Sequence, residues 1–177
     1  MKAMAIVAHP DDCVIFAYSF MNQYPDFDWT VCYLTYTEQD PRGQEFADFW
    51  HRRGIATKFL GYTDDWNFVK EGELGFNRDS ATESIKQAIA DQDLILTHDH
   101  FGDYGHLHHK FICEVVCNSH TYVVTFAGVG RGNVKYTIEP GVYSLEEFPQ
   151  HRDIVASFHQ GQHINEYAVS DRVRKIL

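Results

Sequence analysis

Two stretches of this chain hold residue types suited to binding a metal. In "AIVAHPDDCVIF", residues 5–16, an apolar run breaks into His9, Pro10, Asp11 and Asp12 before a second apolar run begins at Cys13. Adjacent carboxylates repel, and taking them out of water is costly unless a cation or hydrogen bonds compensate. The spacing of His9 and Asp12 lets a tight turn present an imidazole nitrogen and a carboxylate oxygen to one ion. The second stretch, "THDHFGDYGHLHH" at 97–109, holds His98, His100, His106, His108 and His109. On a helix His106 and His109 share a face, while His108 points elsewhere. One ligand from this stretch would complete a three-ligand hydrolytic zinc site, in which water takes the remaining position. A capped turn is the plain alternative for the first stretch, with Asp11 or Asp12 as N-cap of a helix starting near Cys13. Pairing with a histidine cluster at a second strand end favours the metal.

The elements that must position these residues follow from hydrophobic pattern. Residues 2–8 read as a buried strand, and the apolar segment from Cys13 to about Met21 as the helix after it. Residues 29–37, "WTVCYLTYT", are β-branched and aromatic and form the second strand. Asp40 then offers an N-cap with Pro41 at the first helical position; Phe46, Phe49, Trp50 and Arg53 keep helical spacing, and Gly54 stops the helix. Residues 55–62 are strand three. Residues 63–79 lack a period and read as a long loop, whose Trp66, Phe68 and Phe76 either stack on a ligand or pack the loop down. Ser80 and Glu83 form a capping-box pattern before a helix at about 81–91. Strand 93–98, the histidine-rich loop, a helix from His106 or Leu107 to Cys117 and strand 121–127 come next. Residues 134–139 read as an edge strand, and 144–160 as a helix broken at Pro149. Strands alternating with helices imply an α/β, Rossmann-like fold, a mainly parallel sheet with helices on both faces. A single domain over 1–177 is expected. Ligands bind such sheets at the carboxyl ends of the strands, where both polar stretches fall.

Composition narrows the function classes. The net charge of −10 works against non-specific binding to nucleic acid or anionic membranes, so a small molecule is the expected partner. No run approaches the length of a membrane helix. The N-terminus leads from a short apolar run into acidic residues and reads as a strand, not a leader. Cys13, Cys32, Cys113 and Cys117 show no CxxC spacing, read as buried thiols, and suit a reducing cytoplasm. A homo-oligomer is compatible with all of this.

"AHPDDC" resembles the AHPDDE signature of the PIG-L/LmbE-like family of N-acetylglucosaminyl deacetylases, and "GHLHH" its GHxxH signature, here also preceded by a threonine-histidine pair. "LTYTEQDPRGQEFADFWHRRGIATKFLGYTDD" resembles the family's middle segment, with Arg42 in an RxxE-like position and Asp64 where the pattern has its aspartate. "HRDIVASFHQGQ", with His159 and Gln162, resembles its closing helix. The resemblance implies a Rossmann-like fold and metal-dependent removal of acetyl groups from N-acetylated amino sugars, with Zn²⁺ the expected ion and Fe²⁺ or another divalent metal the alternative. It implies His9, Asp12 and His109 as ligands and Asp11 as general base. It also implies His106 as stabiliser of the negative charge opposite the metal, with Tyr104 polarising the acetyl carbonyl. Arg42 and Asp64 are the implied substrate contacts. His98 is expected to orient a ligand, and His100 and His108 to face solvent. Cys13 departs from the pattern, which has glutamate there, and the chain is short for the family. Rival readings are a metallo-amidase or esterase acting on a non-sugar acyl compound or modified nucleoside, and a non-catalytic metal- or ligand-binding module. Retention of Asp11 argues against the module, since binding alone needs no base.

Overall fold

A computed structural model of the chain describes residues 1–128, 134–138 and 141–143. Strand β1 (Lys2–Val7) runs between β2 (Asp28–Thr35) and β4 (Leu94–Thr97), with β3 (Ala56–Tyr62) outside β2 and β5 (Val123–Gly128) outside β4. These five are parallel. Beyond β5 the direction reverses: β6 (Val134–Ile138) and β7 (Gly141–Tyr143) pair antiparallel. The sequence places an edge strand at 134–139, but β7 pairs outside it, so β7 is the edge among the described strands. The expected helix at 144–160, His159 and Gln162 lie outside the described residues.

Alternation along β1 builds a core on each face. Ala3, Ala5 and Val7 join Val31, Tyr33, Phe46, Trp50 and Phe16 on one side. Met4, Ile6 and Ala8 join Leu34, Ile85, Ile95, Phe111 and Ile112 on the other. The indole of Trp50 donates to the buried Tyr33 hydroxyl at 2.8 Å, which pairs these two polar atoms inside the first core.

The first helix and the one before β4 differ from expectation at their starts, whereas those after β2 and β4 begin where the sequence places them. The first begins at Pro10, not near Cys13: α1 (Pro10–Asp12) continues as a π-helical stretch, Cys13–Ala17, and then as α2 (Tyr18–Gln23). Its N-cap is His9, whose backbone N–H donates to Asp12 Oδ2 at 2.8 Å, so Asp12 reaches back as in a capping box. Helix α3 (Pro41–His51) starts at Asp40 as expected, but the Asp40 carboxylate accepts from the N–H and hydroxyl of Thr37. The expected loop at 63–79 contains a short helix, α4 (Trp66–Lys70), capped by Asp65. Helix α5 (Arg78–Ile89) starts before Ser80, because Asn77 Oδ1 accepts the Ser80 N–H at 2.8 Å. Helix α6 (Leu107–Ser119) follows the histidine-rich loop. Cys13, Cys32 and Cys113 are buried as expected; Cys117 is exposed, in the last turn of α6.

From β1 the chain lays β2 and β3 on one side and then crosses over to lay β4 and β5 on the other, and this switch makes a crevice outside the carboxyl end of β1. The Thr35 hydroxyl donates to the Ala8 carbonyl and that of Thr97 to Ile6, which fixes the three strand ends against one another. His9 leaves β1 there, and His98 leaves β4.

Candidate metal centre

Six segments deliver side chains to this crevice. His9, Asp11 and Asp12 come from the turn after β1, and Tyr36 from the end of β2. Arg42 stands on the first turn of α3, and Asp64 follows β3. The loop after β4 brings His98, Asp103 and Tyr104, and the start of α6 brings His106, His108 and His109. Except for Arg42, Tyr36, Asp64 and Tyr104, these side chains are buried. The loop after β4 turns tightly: Gly102, Asp103 and Gly105 all have positive φ, and a Cβ on Gly102 would sit 2.6 Å from the His106 carbonyl oxygen.

Three atoms converge closely. His9 Nδ1 is 3.0 Å from Asp12 Oδ2, His109 Nε2 is 3.2 Å from the same oxygen, and the two ring nitrogens are 3.3 Å apart. Ligands placed tetrahedrally at zinc bond lengths of 2.0–2.1 Å lie about 3.3 Å from one another. The donor set, two imidazoles and a carboxylate, therefore fits one divalent ion with a position left open.

The neighbouring histidines are committed to other partners. His98 Nε2 accepts the Ala8 N–H at 3.0 Å, so its lone pair points away from the triad. Its Nδ1 lies 2.5 Å from Asp103 Oδ2, the oxygen that His109 Nδ1 approaches at 2.8 Å. Asp103 thus takes an N–H from each ring, which leaves His109 Nε2, the nitrogen toward the triad, as the one to give up its proton to an ion. Carboxylates that orient a ligating histidine in this way are a recurrent feature of metal sites. The two rings stack with centroids 3.7 Å apart, so His98 supports His109 by contact and by sharing its carboxylate.

His106, the N-cap of α6, accepts the His108 N–H on Nδ1 at 3.3 Å. Its neutral ring therefore carries the proton on Nε2 and acts as a donor. Burial, then the charges on His109 and His9, push His106 down to about 2, and the positive end of the helix favours the same neutral form. His108 is buried, contrary to the expectation of exposure, because the first turn of α6 packs against the 74–76 segment: its Nε2 meets the Leu74 carbonyl at 2.9 Å and its ring the ring of Phe76. His100 is exposed.

Asp11 pairs with Arg42, whose Nη2 lies 2.5 Å from its Oδ1. The Arg42 Nη1 donates to the Tyr36 hydroxyl at 3.1 Å, and that hydroxyl donates to Asp64 Oδ2 at 3.0 Å. Asp64 Oδ1 in turn lies 3.4 Å from His9 Nε2. A polar chain thus joins Asp11 to the far side of His9, and Tyr36 holds its place in it at a φ of 62°. Burial and the Asp12 charge push the Asp11 carboxyl up, against the pull of Arg42 and His9. Burial opposes a charged His9, but Asp12 and then Asp64 outweigh it and raise His9 to about 10. His109 rises to about 9 in the same way, against burial, through Asp12 and Asp103.

The crevice mouth is aromatic. Trp66 is 56 % exposed with its ring 6.0 Å from His106, and Tyr104 is 42 % exposed with its ring 5.9 Å from His106. Phe76 packs inward on Phe111 and Tyr62. Every residue singled out in the described part of the sequence as ligand, base or stabiliser therefore meets at this crevice. Asp103 and Tyr36 were not anticipated: an aspartate between two glycines reads as a turn residue, and Tyr36 as part of a strand. The rule that a ligating histidine needs a carboxylate behind it was the available signal for Asp103.

Residues 4–120 match the family model PIG-L, GlcNAc-PI de-N-acetylase. No curated protein matches the sequence. Among solved structures, the chain is similar to a deacetylase–bog complex from the biosynthesis pathway of teicoplanin, at 14% identity over 96% of this chain and 84% of that one, with a TM-score of 0.54. It is similar to the zinc-inhibited form of teicoplanin deacetylase Orf2, at 13% identity, 96% and 84% coverage and a TM-score of 0.52. GalB, the 4-carboxy-2-hydroxymuconate hydratase from Pseudomonas putida KT2440, is similar at 13% identity and a TM-score of 0.51, over 71% of this chain and 65% of that one. The chain thus spans just under two thirds of the hydratase's length. At such identities these likenesses show the fold, on which a deacetylase and a hydratase both stand. The family match is a sequence match; it runs from β1 to the end of α6 and takes in the whole triad with the residues behind it, and by it the chain belongs to the PIG-L (GlcNAc-PI de-N-acetylase) family.

Proposed function

We propose that the protein is a metal-dependent N-deacetylase, with Zn²⁺ as the expected ion and Fe²⁺ or another divalent metal as the alternative. Its substrate in this reading is a small N-acetylated molecule of the N-acetylglucosamine-conjugate type. The observation that carries the reading is the triangle of His9 Nδ1, Asp12 Oδ2 and His109 Nε2 with the carboxylate of Asp11 next to it in the chain. An ion held there supplies Lewis acidity, making water acidic near neutral pH and polarising an acyl carbonyl.

The chain's own residues account for the remaining needs of amide hydrolysis. Asp11, raised by burial and by Asp12, takes the proton of the attacking water and returns it to the departing amine. Its pairing with Arg42 sets where the carboxylate sits before substrate arrives. His106 donates its Nε2–H to the developing oxyanion as a neutral ring, and the Tyr104 hydroxyl is the second donor; one such donor is commonly worth about 3 kcal/mol. Trp66 offers its exposed face to a sugar ring. Asp64 stands behind His9, and Arg42 and Asp64 contact substrate hydroxyls at the crevice edge. A reducing cytoplasm is the compartment in this reading, supported by four cysteines without CxxC spacing.

The test is metal content together with acetate release from a panel of N-acetylated sugars, nucleosides and small amides. Asp11→Asn is expected to keep the metal and lose at least about a hundredfold in kcat, the usual range for a lost general base. His109→Ala is expected to lose metal and activity together. Near-wild-type turnover in Asp11→Asn would remove the proposed base. Acetate release from the amides and nucleosides but not from the sugars would move the reading to a non-sugar acyl substrate.

A further inference from the structure

His9 has two ring nitrogens, and only Nδ1 belongs to the triad. Nε2 faces Asp64 Oδ1 at 3.4 Å and His108 Nδ1 at 3.4 Å, and those two atoms are 3.9 Å apart. His108 cannot turn its other nitrogen inward, because the Leu74 carbonyl 2.9 Å from Nε2 only accepts and so fixes the proton there. A lone pair on Nδ1 is left aimed at His9 and Asp64. The second oxygen of Asp64 takes the Tyr36 hydroxyl, which leaves Oδ1 to face the same point. Two buried or half-buried acceptors thus share one N–H, each at a distance longer than an ordinary N–H hydrogen bond. The corners of this triangle lie about 2.1 Å from its centre, the length of a zinc bond to nitrogen or oxygen.

We propose that His9 Nε2, Asp64 Oδ1 and His108 Nδ1 form a second binding site for a borderline divalent cation such as Zn²⁺, joined to the first through the His9 ring. The proposal rests on the reading of His9 Nδ1 as a ligand of the first ion. Two imidazoles and a carboxylate are the donor types that such an ion prefers. The second ion takes the place of the Nε2 proton: one N–H bond breaks, one metal–nitrogen bond forms, and one proton leaves to solvent for each ion bound. The ring between the two ions is then an imidazolate. Two dications on one ring repel, so the second site is the weaker, filled when the metal is in excess over the chain.

The experiment is equilibrium dialysis of the full, metal-stripped chain against rising Zn²⁺, with proton release followed in weak buffer. Two ions are expected in two steps, the second releasing one proton. His108→Leu is expected to keep the tight step and weaken the second at least tenfold. A second measurement needs only the wild-type chain. Two Cu²⁺ ions bridged by an imidazolate couple magnetically, so the chain loaded with two Cu²⁺ should lose EPR intensity relative to twice that of the one-ion form. Binding of a single Zn²⁺, a second step that survives His108→Leu, or Cu²⁺ signals that simply add would each overturn the proposal. Binding of one ion leaves the deacetylase reading standing, whereas binding of none removes both.

Discussion

Asp103 shows how much a single side chain can decide in this crevice. One of its oxygens receives the Nδ1–H of both His98 and His109, and the pull of these two rings holds its carboxyl below the ordinary range against burial. Without that charge nothing fixes which nitrogen of His109 keeps its proton. Asp103→Asn is therefore expected to weaken metal binding by about 10- to 100-fold, the usual effect of removing a carboxylate behind a ligating histidine, with the secondary structure unchanged. Competition against a chromophoric chelator measures it, and an unaltered affinity would show that packing alone orients His109. His9 and Asp12 stood out in the sequence as a candidate pair because a histidine and adjacent aspartates at a strand end have few other reasons to be there. His109, by contrast, was singled out from a run of histidines by the family resemblance alone. Asp103 was not, since the Gly-Asp-Tyr-Gly run that bends the loop gives it an ordinary reason. His108 was misjudged because its burial comes from the 74–76 segment, which no local pattern joins to α6.

At the scale of elements, the site depends on how closely α3 approaches the end of β2. Gly43 faces the Thr37 carbonyl so tightly that a Cβ there would lie 2.0 Å from the oxygen. Arg42, the residue before it, reaches Asp11 and Tyr36 only because the helix sits that near. Gly43→Ala is expected to push α3 outward and to destabilise the fold by about 1–3 kcal/mol, as overpacking generally does. It should also lower kcat more than Gly72→Ala, which strains a residue at a φ of 81° but meets no neighbouring atom within 4 Å. The comparison is made by denaturant midpoints and turnover of both variants; equal effects would mean that the approach of α3 is not what places Arg42. The five parallel strands were readable because four are largely buried apolar runs between helical patterns and β3, half-buried at the sheet edge, still carries Phe59, Leu60 and Tyr62. The antiparallel turn of β6 and β7 was not, since β-branched content marks a strand without giving its direction. The single turn of α4 was hidden in a polar stretch too short to show a period, and the start of α5 went to Ser80 because Asn77, an equally good cap, precedes it by one turn.

Over the whole molecule, metal binding and folding stability are linked through protons. In the metal-free protein Asp12, Asp64 and Asp103 hold His9 and His109 charged, with values raised to about 10 and about 9. A histidine whose folded value lies above its unfolded one, about 6.5, stabilises the fold fully below that pH. The contribution fades as pH rises through the folded value. The metal-free protein therefore loses this support progressively from about pH 6.5 upward. The carboxylates have depressed values, so their contribution is present above the ordinary carboxylate range and is lost only in acid. A metal at the triad must displace the His9 Nδ1 and His109 Nε2 protons, so its affinity rises with pH, by about tenfold per pH unit for each proton displaced. Because a ligand at free concentration L stabilises the state it binds by RT ln(1 + L/Kd), a gain that grows as the affinity rises, the two effects act in the same direction. The difference in Tm between Zn²⁺-loaded and metal-stripped protein should widen as pH is raised from about 6.5 to 8, with the stripped form losing Tm. Thermal melts of both forms across that range measure it. A gap that stays constant or narrows would mean that His9 and His109 enter the site already deprotonated, and that the acidic residues around them serve the charge of the ion alone.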